Sequence, residues 1–269
     1  MKSRKYWLIA AKDLKELLAN RMVLLPIILV PVVLCAVLPA VLLTMGLRSS
    51  TLPVAGVQFI EGLLPSYPVP EAFATLTERV LYVFCNFTII PLFMVIPIMV
   101  SSTIAAHAIA GEKERKTLET LLYTPITNRQ FFLGKLLSAF VPAMVMSILS
   151  FALYFVTVNV LYVAMRGVMI IRSWVWLPAM LLINPAASLL GLGVTLLVSL
   201  RSKTYLQAQQ ASAFVVLPCV MLVSAQMTGI VVFSPLSITI LGAVLLAVDY
   251  LVIARVGPRF ERERIICSL

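Results

Sequence analysis

The stretch Gly111-Glu112-Lys113-Glu114-Arg115-Lys116-Thr117-Leu118-Glu119-Thr120-Leu121-Leu122-Tyr123-Thr124-Pro125 is a charged interruption in an otherwise apolar sequence, and Gly134-Lys135 follows it closely. Apolar runs long enough to cross a bilayer lie on both sides of it. A short charged hairpin held between two membrane spans is a docking surface for a soluble partner or an ordinary solvated loop. Spacing alone leaves those two readings level.

Working outward, composition decides the class. Of 269 residues, 61% are hydrophobic and 12% charged, and the mean hydropathy is +1.05. A soluble domain carries roughly 25% charged residues. Apolar stretches of more than about 20 residues recur, without the roughly ten-residue alternation of a membrane barrel, so the fold class is an all-α integral membrane protein. The first 21 residues do not read as a cleavable signal peptide, because Lys12, Asp13, Lys15 and Glu16 sit where its apolar core belongs.

Six spans are marked by where charges stop. They lie within Met22–Gly46, Val80–Ala110, Leu136–Met165, Trp174–Leu200, Ala211–Phe233 and Pro235–Ala254, the last two parted by a tight Ser234-Pro235 break. With an even number of spans, both termini share one side. That side holds six Lys/Arg before the first span, five in 111–135, Arg201 with Lys203, and four in the tail; the other side holds only Arg48, Arg79, Arg166 and Arg172. The positive-inside rule makes the basic side cytoplasmic. The net charge of +10 is then explained by topology and by contact with anionic membrane lipid. No basic patch backed by an aromatic platform points to nucleic acid.

The N-terminal segment, residues 1–21, reads as an amphipathic interfacial helix. Trp7, Ala10, Ala11, Leu14, Leu17 and Leu18 recur at helical spacing, with Lys5, Lys12, Asp13, Glu16 and Asn20 on another face. In the hairpin, Glu112 and Lys116, and likewise Arg115 and Glu119, are four apart and are expected to pair along a helix. Leu118, Leu121 and Leu122 form a short apolar face, and Pro125 ends the helix. Thr127-Asn128-Arg129-Gln130 fits a capping box that starts the next helix.

The run from Glu112 to Leu122, with Pro125 and Gly134-Lys135 after it, resembles the signature of ABC-2 type transporter permeases, the membrane subunits of type V ATP-binding-cassette transporters. The Lys12-Asp13-Leu14-Lys15 start, the Gln207-Ala208-Gln209-Gln210 run and the Phe260-Glu261-Arg262-Glu263 tail are also similar to that family. One departure is Lys116, where glycine is more usual, and it bears on the local turn geometry. The resemblance implies an interfacial helix followed by a permease domain over residues 22–269, with a coupling hairpin at 111–135 and an external loop at 47–79. It implies a dimer with a second permease copy or a related permease, export across the plasma or inner membrane, and separate cytosolic ABC ATPase subunits. Coupling to those ATPases would fall on Glu112, Glu114, Thr117, Leu118, Glu119, Leu121, Leu122 and Pro125. The chain carries no Gly-x-x-x-x-Gly-Lys-[Ser/Thr] loop, so ATP is expected to be hydrolysed by the partner, with no cofactor bound here.

Polar residues inside spans carry the remaining signals. Asp249 is the only carboxylate in a span, and it either pairs with an arginine such as Arg255 or binds a cation. Asn86, Asn184 and Gln226 are candidates for lining the pathway. Prolines such as Pro26, Pro31, Pro39, Pro91, Pro97 and Pro185 permit kinks, while Ser188, Gly191, Gly193 and Thr195 suit close helix approach. Outside, Val57–Leu64 suits a short interfacial helix. The sole histidine, His107, cannot build a metal site alone, and Cys35, Cys85, Cys219 and Cys267 suggest neither disulfides nor zinc. Intramembrane proteolysis lacks its second aspartate, its Gly-x-Ser-x-Gly or its His-Glu-x-x-His. The competing class is a non-transporting scaffold that works with an ATPase partner.

Overall fold

The computed structural model describes residues 4–49, 62, 64–116, 127–227 and 230–256. They form helices and connectors, with no strand among the described residues. An N-terminal helix, α1 (Arg4–Ala19), precedes six helices long and apolar enough to span a membrane. These are α2 (Val23–Arg48), α3 (Leu76–Glu114), α4 (Asn128–Arg166), α5 (Trp176–Arg201), α6 (Tyr205–Gln226) and α7 (Pro235–Val256).

α3 is the most deeply buried span, and α5 is next. The two meet at Gly191, where a Cβ would lie 2.9 Å from the Ile98 carbonyl oxygen and 2.8 Å from Ser101 Oγ. Only a residue without a side chain allows the backbones so close. Earlier along α3, Phe93 sits edge-on to Trp176 with ring centroids 5.5 Å apart, and Tyr154 donates to the Cys85 carbonyl at 2.8 Å. α2, α4, α6 and α7 present apolar outer faces such as Leu25, Ile28, Ile148, Val156, Met221 and Leu251, as lipid-facing helices must.

Three spans contain a wide π turn just ahead of a proline: Val33–Val37 before Pro39, Phe84–Thr88 before Pro91, and Ala179–Ile183 before Pro185. The ring of each proline would collide with the carbonyl four residues back, at Cys35, Phe87 and Leu181. Widening the turn removes the collision without breaking the span. A fourth wide turn, His107–Gly111, has no such proline and lies where α3 reaches its charged end.

α4 has 39 residues, roughly 60 Å of helix against about 30 Å of hydrocarbon. Its first turns therefore project beyond the apolar layer. They begin with the expected capping box: Gln130 N donates to Thr127 Oγ1 at 3.3 Å, and Thr127 N to Gln130 Oε1 at 3.2 Å. Gly167, at φ 75°, closes the other end of α4.

Two boundaries differ from the sequence expectation. α6 starts at Tyr205 under a Thr204 cap, earlier than Ala211. It also stops near Gln226, so α6 and α7 are joined by a longer connector than the Ser234-Pro235 break, with residues 228–229 outside the described set. Ser234 caps α7 instead, accepting from Ser237 N at 3.2 Å, and Pro235 takes the first helical position, where its missing N–H costs nothing. The expected helix at Val57–Leu64 lies largely outside the described residues, as do the Phe260 tail and Cys267.

Candidate functional site

The charged end of α3 is built from three successive side chains that reach three different places. The wide turn at His107–Gly111 leads into Glu112, Lys113 and Glu114, and the helix then stops. Lys116 adopts φ 57°, the left-handed conformation that glycine takes without cost. This is the position where the resemblance noted in the sequence led to an expectation of glycine. The stop also explains a failed expectation. Glu112 does not pair with Lys116 but with Lys12 Nζ of α1 at 2.8 Å and Lys135 Nζ of α4 at 2.8 Å.

Lys113 Nζ donates to the Leu200 carbonyl at 3.1 Å, one of the last-turn carbonyls of α5 that lack a helical partner. Glu114 Oε2 accepts from Tyr205 N at 2.9 Å, one of the first-turn donors of α6. The end of α3 thus grips α1, α4, α5 and α6 through side chains at three consecutive positions. His107 lies beside this junction, with its ring 6.0 Å from that of Tyr205 and its Nε2 3.5 Å from Asn20 Nδ2.

At the centre is Lys135, fully buried at 0% exposure. It donates to Glu112 Oε2 at 2.8 Å and to Asp13 Oδ1 at 3.1 Å. Lys12 adds a bond to Glu16 at 3.3 Å, so the cluster runs Asp13, Lys135, Glu112, Lys12, Glu16. Burial pushes the Asp13 carboxyl above the usual aspartate range; Lys135 opposes this and the charge of Glu112 adds to it. Burial would lower the Lys12 ammonium, but its bond to Glu112 and the charges of Glu112, Glu16 and Asp13 outweigh burial and hold it above the usual lysine range. Asp13, Glu16 and Glu112 are close enough to share a cation, yet two lysine ammonium groups already answer their charge.

The cluster also corrects the reading of α1. Asp13 was expected on the solvated face, but it is buried against α4, while Ala11 and Leu14 are exposed. Sequence reasoning passed over Lys135 and Asp13 as cluster members. The sequence did hold a signal: Phe131, Phe132, Ser138 and Ala139 stand three or four positions from Lys135 on one helical stripe, and the structure buries all five.

The remaining site residues divide clearly. Thr117, Leu118, Glu119, Leu121, Leu122 and Pro125 lie outside the described residues. Asn86 and Asn184 make bonds between elements: Asn86 Nδ2 donates to the Ile170 carbonyl at 2.9 Å and its Oδ1 accepts from Ser173 N at 3.3 Å, while Asn184 Nδ2 donates to Ser147 Oγ at 2.7 Å. Gln226 Nε2 donates to Tyr67 Oη at 3.3 Å. Asp249 is buried, but the expected pair with Arg255 does not form. Arg255 is exposed, and neither carboxylate oxygen of Asp249 has a hydrogen-bond partner among the described residues. At the end remote from the cluster, Glu78 pairs with Arg166 at 3.1 Å, a second ion pair between α3 and α4.

Residues 7–245 match the family model described as ABC-2 family transporter protein. No curated protein matches the chain.

Proposed function

Because the chain belongs to the ABC-2 transporter family, and is thereby a multi-pass membrane permease of an ABC transporter, we propose that it forms the substrate pathway of an exporter as a dimer and takes its power stroke through the 111–135 hairpin. The partner is a separate cytosolic ATPase that docks on that hairpin. The basic end of the bundle, with both termini, then faces the cytoplasm, and the protein sits in the plasma or inner membrane. The observation that carries this reading is the triple grip of Glu112, Lys113 and Glu114. A force applied between Lys116 and Thr127 enters α3 and α4 through the chain itself. It reaches α1, α5 and α6 through those three side chains, so the whole bundle responds.

Two experiments test this. Purification of the chain in mild detergent should bring down a stoichiometric ABC ATPase; a chain that repeatedly comes alone, crosslinked or not, points to the scaffold class instead. In the complex, Glu114→Lys should leave membrane insertion intact and cut coupled ATP hydrolysis about tenfold, the effect of losing roughly 1.4 kcal/mol of differential contact. Unchanged hydrolysis would remove the hairpin from the coupling path.

A further inference from the structure

Beside the charge cluster, α1 and α4 part to leave an apolar cavity of about 180 Å³, lined by Ala10, Ala11, Leu14, Leu137, Val141 and Pro142. Its origin is local. Pro142 has no N–H to give the Ser138 carbonyl, which loosens α4 there, while Ala10 and Ala11 offer α1 little bulk. Ser138 lines the floor, but its hydroxyl is turned away to donate to the Lys135 carbonyl at 2.9 Å, leaving the wall greasy.

We propose that this groove holds one acyl chain of an anionic phospholipid, with the headgroup against Lys15. Four observations select that occupant. The groove lies between α1, an amphipathic helix of the kind that rests at a membrane surface, and α4, a membrane span. It runs into the exposed apolar strip Val141, Val145, Ile148 and Leu149 of α4, the surface hydrocarbon must cover. Leu14 stands 38% exposed at its rim. Lys15, one turn beyond Ala11 on α1, is exposed and takes part in none of the ion pairs among the described residues. A bound chain braces α1 against α4 next to the Asp13–Lys135 contact, so the lipid becomes part of the joint. The proposal rests on membrane insertion alone and stands apart from the transport reading.

The test uses the full chain in vesicles of phosphatidylglycerol or phosphatidylcholine carrying a photoactivatable diazirine in the acyl chain, with adducts located by mass spectrometry. Adducts are expected at Leu14, Leu137 or Val141, with phosphatidylglycerol favoured by about fivefold, the effect of one lysine near an anionic headgroup. Ala11→Trp and Val141→Trp fill the groove from opposite walls, and each should cut the yield several-fold. Lys15→Glu, an exposed change that leaves the fold alone, should abolish the preference between the two lipids. Absence of adducts there, equal yields from both lipids in the unaltered chain, yields untouched by both tryptophans, or crosslinks to a second copy instead of lipid would each overturn the proposal.

Discussion

Lys135 and its two carboxylates are a place where removing one charge differs sharply from removing another. Lys135→Met leaves Glu112 and Asp13 buried without their shared ammonium, which costs about 3–5 kcal/mol for an uncompensated buried charge. The loss should appear in thermal unfolding of the detergent-solubilised chain and shrink as pH falls and the carboxylates protonate. Asp13→Asn is the milder change, since Lys135 keeps Glu112 and the folded state already disfavours the Asp13 anion. The raised carboxyl contributes stability that is complete below the unfolded aspartate value, about 3.9, and is lost as pH rises through the higher folded value. Asp13→Asn lacks that loss, so its stability relative to the unaltered chain should improve as pH rises from about 4 towards neutrality. A constant difference across that window would mean Asp13 is not held against its charge. Lys116 gives the opposite case. Its left-handed backbone costs a side-chain-bearing residue about 1 kcal/mol, so Lys116→Gly should raise the melting temperature slightly, and a lowered one would show that the turn needs the lysine.

The spans were legible at the scale of elements because charge cannot enter hydrocarbon cheaply; wherever Arg21, Arg48, Glu112, Arg166 or Arg201 stands, a span must end nearby. The wide turns were half legible, since proline announces strain but not whether the helix kinks or widens. What could not be read was which polar face turns inward. Periodicity put Asp13 on the wet face because it ranks residues by polarity, and the buried partner that reverses that ranking, Lys135, lies 122 positions away. Glu112 misled for a related reason. The i,i+4 rule assumes a continuing helix, and this one ends at Glu114, before Lys116 turns left-handed. Asp249 misled by proximity in sequence, since six residues along a helix is not a contact. Close packing between elements was better marked: Gly191 does let α3 and α5 approach. Gly191→Val should force the Ile98 backbone away and cost about 1–3 kcal/mol, as overpacking does. Retention of full thermal stability by that variant would show that the two helices have room to separate.

Across the whole molecule, α3 is held at both ends, and this gives a mechanical prediction. Near Leu76 it is tied to α4 by Glu78 and Arg166 and to the 170–173 connector by Asn86. Near Glu114 it is tied to α1, α4, α5 and α6. Between Glu78 and Glu112 stand two wide turns, Phe84–Thr88, which carries Asn86, and His107–Gly111, where the hydrogen-bond ladder is looser and a helix bends most readily. If α3 passes motion from the charged end to the opposite one, α3 must move against α4 at Glu78–Arg166. If the wide turns absorb the motion, that contact stays still. A Glu78→Cys/Arg166→Cys pair bridged by a reducible bifunctional thiol reagent separates the two cases. Cys35, Cys85 and Cys219 are buried and shielded from the reagent, and a Cys267→Ser background removes the remaining thiol. Transmission predicts that bridging slows ATP hydrolysis by the permease–ATPase complex at least several-fold and that reduction restores it, because a cycle that cannot finish at one end cannot turn at the other. Hydrolysis indifferent to the bridge would place the moving joint within the wide turns, confining the stroke to the end of the bundle where Lys135 sits.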